Sequence, residues 1–348
     1  MSTTVIILAV LLAMILGFAW NHYRKNQPIV GNYPIPVMGD SEEASTTVDD
    51  TEGLKSPSLK INKRGDPKKV ALLFGINRCN PKVYNGDSLP LRGCVNDTKH
   101  FFTYLQRQRF GKIWYNVDQD ATISNFLKVW KEATSGLQDG DTLVLQMSRH
   151  GMSLDQNMMD NDKEHTGPIY SGDQAAVMHD GIIVDDCFWR LFMDLPKVKL
   201  IFINDSCHSG SQYKVASPTI PGSERKYRKA KSAPKELIYN KYTAKKDVVL
   251  DLAQLEKAFG KPKNTTPQFD LISISGCQDD QTSSDAYLEG KYQGALTFAL
   301  LSTLYNNTKL PLSQQMELVN QILSANGFEQ KPKLTIEGDQ TLLDKPLF

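Results

Sequence analysis

Two apolar runs in this 348-residue chain break into small polar residues, each with a reactive side chain just past its end. One reads Leu143-Val-Leu-Gln-Met-Ser148-Arg149-His150-Gly151. The other reads Leu200-Ile-Phe-Ile-Asn-Asp205-Ser206-Cys207-His208-Ser209-Gly210. A thiol has a free pKa of about 8.5, so Cys207 needs a base or a cation beside it to act as a nucleophile near neutral pH. A histidine at the end of an adjacent strand supplies that base. Small residues after Cys207, Ser209 and Gly210, let backbone N–H groups approach a substrate carbonyl and form an oxyanion hole, with Gly151 and Cys207 the expected donors. Spacing alone leaves the bland readings open: a lone Cys at a strand end is usually a small buried hydrophobe, and a lone His a hydrogen-bonded structural one. Cys207 and His208 are adjacent and lack a second ligand pair, which speaks against zinc.

These groups need a scaffold that brings strand ends together. Short apolar runs at Val70–Ile76, Ile113–Val117, Thr142–Met147, Val198–Ile203, Leu271–Ile274 and Leu334–Ile336 read as buried strands. Helical patterns lie between them, over Val95–Gln106, Ile123–Thr134, Val248–Phe259, Ala295–Tyr305 and Leu312–Ala325. Such alternation predicts an α/β fold with a mostly parallel central sheet and helices on both faces. Reactive groups in that architecture gather beyond the carboxyl ends of the strands.

Apolar residues make up 40% of the chain, charged residues 23%, and the net charge is +1. This balance is ordinary for a globular protein and gives no case for a nucleic-acid or membrane-surface binder. Five cysteines, none in a CxxC pair, suggest neither a disulfide framework nor a metal knuckle. The N-terminus departs from this balance. Val5 to Trp20 is apolar or Gly throughout and is followed by Arg24 and Lys25. The run is slightly short of the roughly 20 residues of a spanning helix, though Thr3 and Thr4 extend it. A cleaved signal peptide is the rival reading, but no basic residue precedes the run. Residues 1–25 are therefore expected to be a single-pass membrane anchor, with the rest of the chain on the cytoplasmic side. Residues 26–66 read as a flexible tether, and 67–348 as one folded domain whose parts 67–216 and 247–348 lie either side of the stretch 217–246. The middle part is basic, with Arg225, Lys226, Arg228, Lys229 and Lys231, and reads as a long exposed loop.

Asp205-Ser-Cys-His-Ser-Gly210 resembles the nucleophile segment of metacaspases, and Ser148-Arg-His-Gly151 their histidine segment. Leu91-Arg-Gly-Cys-Val-Asn-Asp97, Leu271 to Gln281, Gly294-Ala-Leu-Thr-Phe298 and Gln330-Lys-Pro-Lys-Leu334 resemble further blocks of that family, in family order. The resemblance covers about residues 68–338, and the short form without a very long insertion fits best. It implies a caspase-like three-layer sandwich and a cysteine endopeptidase, with His150 as base and Cys207 as nucleophile. Asp97, Asp205, Ser148 and Cys94 then line a specificity pocket. Two carboxylates there favour Arg or Lys before the cut, although Asp97 could instead cap its helix. Cleavage after basic residues would make the loop 217–246 a candidate for self-processing. The resemblance also implies a monomer and a calcium site at Asp185 and Asp186; Asp160 and Asp162, in a polar loop after His150, could add hard oxygen ligands. Against calcium, the family's further acidic position falls near Tyr213–Lys214, and the aspartate pair could simply open a helix. Arg149, where the family mostly has Gly, either narrows the cleft or holds the acidic loop 155–162. The competing reading is an inactive, membrane-bound adaptor on the same fold.

Overall fold

The computed structural model describes residues 68–153, 174–206, 228–233, 248–277 and 283–348. From Ala71 to Gly75 every residue of the first strand is buried, so it has no wet face and must be covered on both sides. Three further strands share this pattern, two edge strands are only partly buried, and together they form a six-stranded sheet. Its members are β1 (Lys69–Gly75), β2 (Lys112–Val117), β3 (Thr142–Ser148), β7 (Lys199–Asp205), β10 (Asp270–Ser275) and β13 (Lys333–Glu337), in the order β13-β10-β7-β3-β1-β2. All pairings are parallel except β10 with β13, which is antiparallel.

Alternate residues feed two separate cores. Leu72, Phe74, Leu145, Leu200 and Phe202 pack with α2 (Ile123–Thr134), α3 (Asp186–Phe192) and α4 (Leu252–Phe259). Ala71, Leu73, Val144, Ile201, Ile203 and Ile274 pack with α1 (Cys94–Arg107), α5 (Ala295–Asn306) and α6 (Leu312–Ala325). The result is helix, sheet and helix in three layers. The Oγ1 of Thr122 accepts from Asn125 N–H and starts α2; Asp251 does the same for α4 through Gln254 N–H.

Two small sheets flank this sandwich at the carboxyl edge of the parallel strands. One runs β4-β5-β6-β9, from Gly151–Ser153, Gln174–Met178, Gly181–Val184 and Val249–Leu250. The other runs β12-β11-β8, from Lys291–Gly294, Ser284–Leu288 and Arg228–Ala230. They correct two sequence expectations. The helix expected from Val248 starts at Leu252, because Val249 and Leu250 pair with Ile182 and Ile183 before Asp251 caps it. The basic loop is not exposed over 228–233. Its backbone pairs with Ser284–Ala286, and Lys231 and Ala233 are fully buried. The anchor expected over 1–25 and the tether lie outside the described residues. Among the described residues, no helix is long and apolar enough to cross a membrane.

For the chemistry, the register of β3 against β7 matters most: Ser148 pairs with Asp205. His150 and Cys207 therefore follow their paired residues by the same two positions in the chain. Phe202 holds this part of β7 in place through ring contacts with Phe188 and Phe192, at 5.6 and 5.8 Å between centroids. Phe202→Ala should cost about 3–5 kcal/mol of stability through the cavity it leaves, read as a lower urea midpoint with an unchanged slope.

Candidate active site

The strand ends open onto a buried cluster of charge. Asp97 sits in the first turn of α1, yet it caps nothing there. Its Oδ1 accepts from Gly294 N–H at 2.7 Å, and its Oδ2 accepts from Ser148 Oγ at 2.6 Å. Asp205, the last residue of β7, accepts from Ser283 Oγ at 2.6 Å and from Thr297 Oγ1 at 2.8 Å and N–H at 3.2 Å. Between the two carboxylates lies the ammonium of Lys231. It is 3.1 Å from Asp97 Oδ2, 3.1 Å from Asp205 Oδ2 and 2.8 Å from Ser148 Oγ, so its three protons have three partners. None of the three charged side chains is exposed to solvent.

Burial by itself would strip the proton from Lys231, but Asp205 and Asp97 outweigh it and hold its pKa well above the ordinary lysine value. Burial raises the Asp97 carboxyl to about 6; Lys231 opposes that rise and Asp205 adds to it. A third buried carboxylate, Asp285, accepts from Arg92 N–H and is also raised by burial. Cys94 is buried beside this cluster, its thiol raised far above the usual range by desolvation. Gly294 is the floor. A Cβ there would collide with Asp205, with the Lys231 ammonium and with Asp97.

His150 is buried beside this cluster. Its Nε2 lies 3.0 Å from the carbonyl oxygen of Leu89, which can only accept, so this contact requires the proton on Nε2. Nδ1 is then the basic atom. It makes no hydrogen bond of good geometry among the described residues, although the Lys231 backbone lies close enough to raise the ring's proton affinity. Burial dominates, followed by the Lys229 ammonium, and the imidazole is pushed down to about 3. Gly151 N–H donates to the Lys231 carbonyl at 2.9 Å, and Gly151 C=O accepts from Ala233 N–H at 2.9 Å. The Lys231–Ser232 peptide bond thus lies alongside Gly151, in a parallel bridge between Gly151 and Ser232.

Asp97, Asp205, Ser148, Cys94, His150 and Gly151 are thereby brought to one cleft. Cys207, Asp160 and Asp162 lie outside the described residues. Asp185 and Asp186 sit apart from this cluster, where β6 meets α3, and Asp185 Oδ1 accepts from Gln174 N–H. Among the described residues, no group of three His, Cys, Asp or Glu side chains could hold a metal ion. Arg149 does not narrow the cleft: it is buried and donates to His150 C=O and Asn204 Oδ1. Sequence reasoning missed Leu89, which acts through a backbone carbonyl, and the pairing of Asp205 with Ser283 and Thr297. The block Gly294-Ala-Leu-Thr-Phe298 held the signal for Thr297.

The low proton affinity of His150 has a consequence for stability. The unfolded chain protonates this ring near pH 6.5, the folded chain only near 3. Between those values the unfolded state binds more protons, so folding weakens as pH falls through that window. His150→Asn, which cannot titrate, should lose less stability than the parent between pH 6.5 and 4, as read from urea midpoints. In the parent, ring nitrogen shifts should stay those of a neutral Nε2–H imidazole down to about pH 4.

The family model described as "Caspase domain" matches residues 68–342. The chain is 32% identical to Metacaspase-1A of Aspergillus terreus over 298 residues, covering 77% of this chain and 70% of that protein. It is 31% identical to Metacaspase-1A of Aspergillus niger over 342 residues, covering 90% and 80%, and 31% identical to Metacaspase-1 of Emericella nidulans over 296, covering 77% and 70%. The crystal structure of protein GSU0716 from Geobacter sulfurreducens shares the fold, with a TM-score of 0.61 and 24% identity over 80% of this chain and 98% of that one. With a parallel sheet whose strand ends carry the histidine and nucleophile segments, and relatives matched over most of its length, the chain belongs to the caspase-domain family as a metacaspase-type cysteine endopeptidase.

Proposed function

We propose that this peptidase cuts after Arg or Lys, and that the Lys231–Ser232 bond of its own chain is one of its substrates. A single observation carries the reading: a basic side chain already fills the acidic cleft, with its carbonyl against Gly151 N–H and beside His150. An arginine guanidinium, with more donors than an ammonium, suits the same two carboxylates. An acidic side chain would add a fourth buried carboxylate to Asp97, Asp205 and Asp285, which is strongly unfavourable.

In the step this implies, the Cys207 thiol passes its proton to His150 and its sulfur forms a bond to the scissile carbonyl carbon. The carbonyl electrons move onto oxygen, where Gly151 N–H receives the charge. Collapse breaks the C–N bond, and the departing amine takes the proton back from His150. Water then attacks the thioester, gives a proton to His150, and releases the new carboxyl group while the thiol is restored. The retention of Cys207, His150, Asp97 and Asp205 together favours this enzyme over an inactive adaptor.

The apolar run Val5–Trp20 with Arg24 and Lys25 supports a membrane anchor and a cytoplasmic catalytic domain. Calcium has a weaker basis. Asp185 and Asp186 supply two carboxylates, short of the 6–8 oxygens that calcium takes.

The test uses the full chain and peptides that differ only in Arg, Lys or Asp before the bond, with and without millimolar calcium, beside Cys207→Ala. Cleavage after Arg and Lys alone, lost in the variant, is the expected result; cleavage after Asp would overturn the pocket. Mass spectrometry should find a new N-terminus at Ser232 that Cys207→Ala lacks. As pH falls through about 6, Asp97 takes up a proton and the pocket loses charge. KM for a Lys peptide should rise there, and Asp97→Asn should show a high, pH-independent KM across that range.

A further inference from the structure

Gly151 touches residues 231–233 on both sides of one peptide bond. Its N–H holds the Lys231 carbonyl, and its C=O holds the Ala233 N–H, both at 2.9 Å. Ser232 between them is half-buried, whereas Ala233 is completely buried and belongs to the same apolar core as Met152 and Leu89. The following residue is Pro234, which biases Ala233 towards the extended backbone this ladder needs. On the other side of the bond, Lys231 N–H donates to Ser283 C=O at 3.1 Å, and 228–230 pair antiparallel with 284–286. The segment crosses the cleft as a strand anchored before and after the bond.

We propose that the enzyme reads the second residue after the cut, requiring there a main-chain N–H and a side chain no larger than alanine. This rests on the reading of 228–233 as a bound substrate strand, and it extends recognition from the basic residue to the leaving half of the substrate. The N–H is needed because the Gly151 carbonyl has no other described partner on that side of the strand. The same residue that receives charge on the scissile oxygen also fixes the leaving strand. A substrate that lacks the second contact therefore lets the carbonyl drift from its donor. The size limit follows from packing: a position with no exposed surface in a core at crystal-like density has no room for added methylenes.

The experiment compares kcat/KM of the full, self-processed chain on Arg-Lys-Ala-Lys-Ser-Ala-Pro and on three relatives. In these the second residue after the cut is Gly, Leu or N-methyl-alanine. Gly should be cut within a few-fold of the parent. N-methyl-alanine keeps the side chain and removes only the donor, and it should be cut roughly tenfold more slowly, as expected for one lost hydrogen bond. Leu should fall by at least as much. Equal rates for all four would overturn the inference and leave the basic specificity standing. No cleavage of the parent after Lys would instead remove the substrate-strand reading and this inference with it.

Discussion

A buried ammonium held by two carboxylates is the constraint around which this cleft is organised. Taking three charges out of water costs several kcal/mol per ion, and only a complete set of partners offsets that. Each partner comes from a different element. Ser148 ends β3, Asp205 ends β7, Asp97 opens α1, and Thr297 belongs to the first turn of α5. Ser283 precedes the hairpin strand β11, and Gly294 ends β12. A one-residue slip of β3 against β7 would turn Ser148 or Asp205 away from the cluster and leave a charge unpaired. The register of the sheet and the chemistry of the cleft are therefore one requirement.

The same dry cleft treats its ionisable groups in opposite ways. Lys231 keeps its charge because carboxylates surround it, while His150 loses its charge because burial and the ammonium groups of Lys229 and Lys231 act on it together. A neutral imidazole with Nε2 tied to a backbone carbonyl presents an unprotonated Nδ1, and the same burial and cations that keep it neutral make that atom a weak base while the strand fills the cleft. Leu89, which supplies that carbonyl, has a φ of 48°, an uncommon conformation for a branched side chain. Its backbone accepts that conformation where it directs a carbonyl at the imidazole.

The strand ends were legible in the sequence because each apolar run stops abruptly at a polar residue. Asp97 and Asp205 were legible as candidates through the blocks that contain them. The fate of Lys231 was not, since five basic residues between 225 and 231 have the composition of a solvated loop and carry no periodicity over a three-residue strand. What buries that lysine is a pair of carboxylates, Asp97 far back in the chain and Asp205 at the end of another strand. Leu89 was hidden for another reason: a search over side chains cannot find a residue that contributes only its carbonyl. Val249 and Leu250 read as the start of a helix because two residues hold no pattern, and only the partner strand β6 decides them.

An intact strand in its own cleft also separates cutting from opening. Hydrolysis at Lys231–Ser232 would separate Ser232 and Ala233, which lie along Gly151 with the Ala233 methyl group buried, from the basic side chain in the cleft. Residues 228–231 would keep their pairing with β11 and the ammonium its two carboxylates. The cleft therefore stays filled until β8 peels away from β11. A substrate arriving from solution must then replace both the ladder and the ion pair. Occupation by a tethered segment has a high effective concentration, and the cut lowers it by leaving only one side attached. On the proposed self-cleavage, the cut would weaken the plug and exchange of the strand would complete its release.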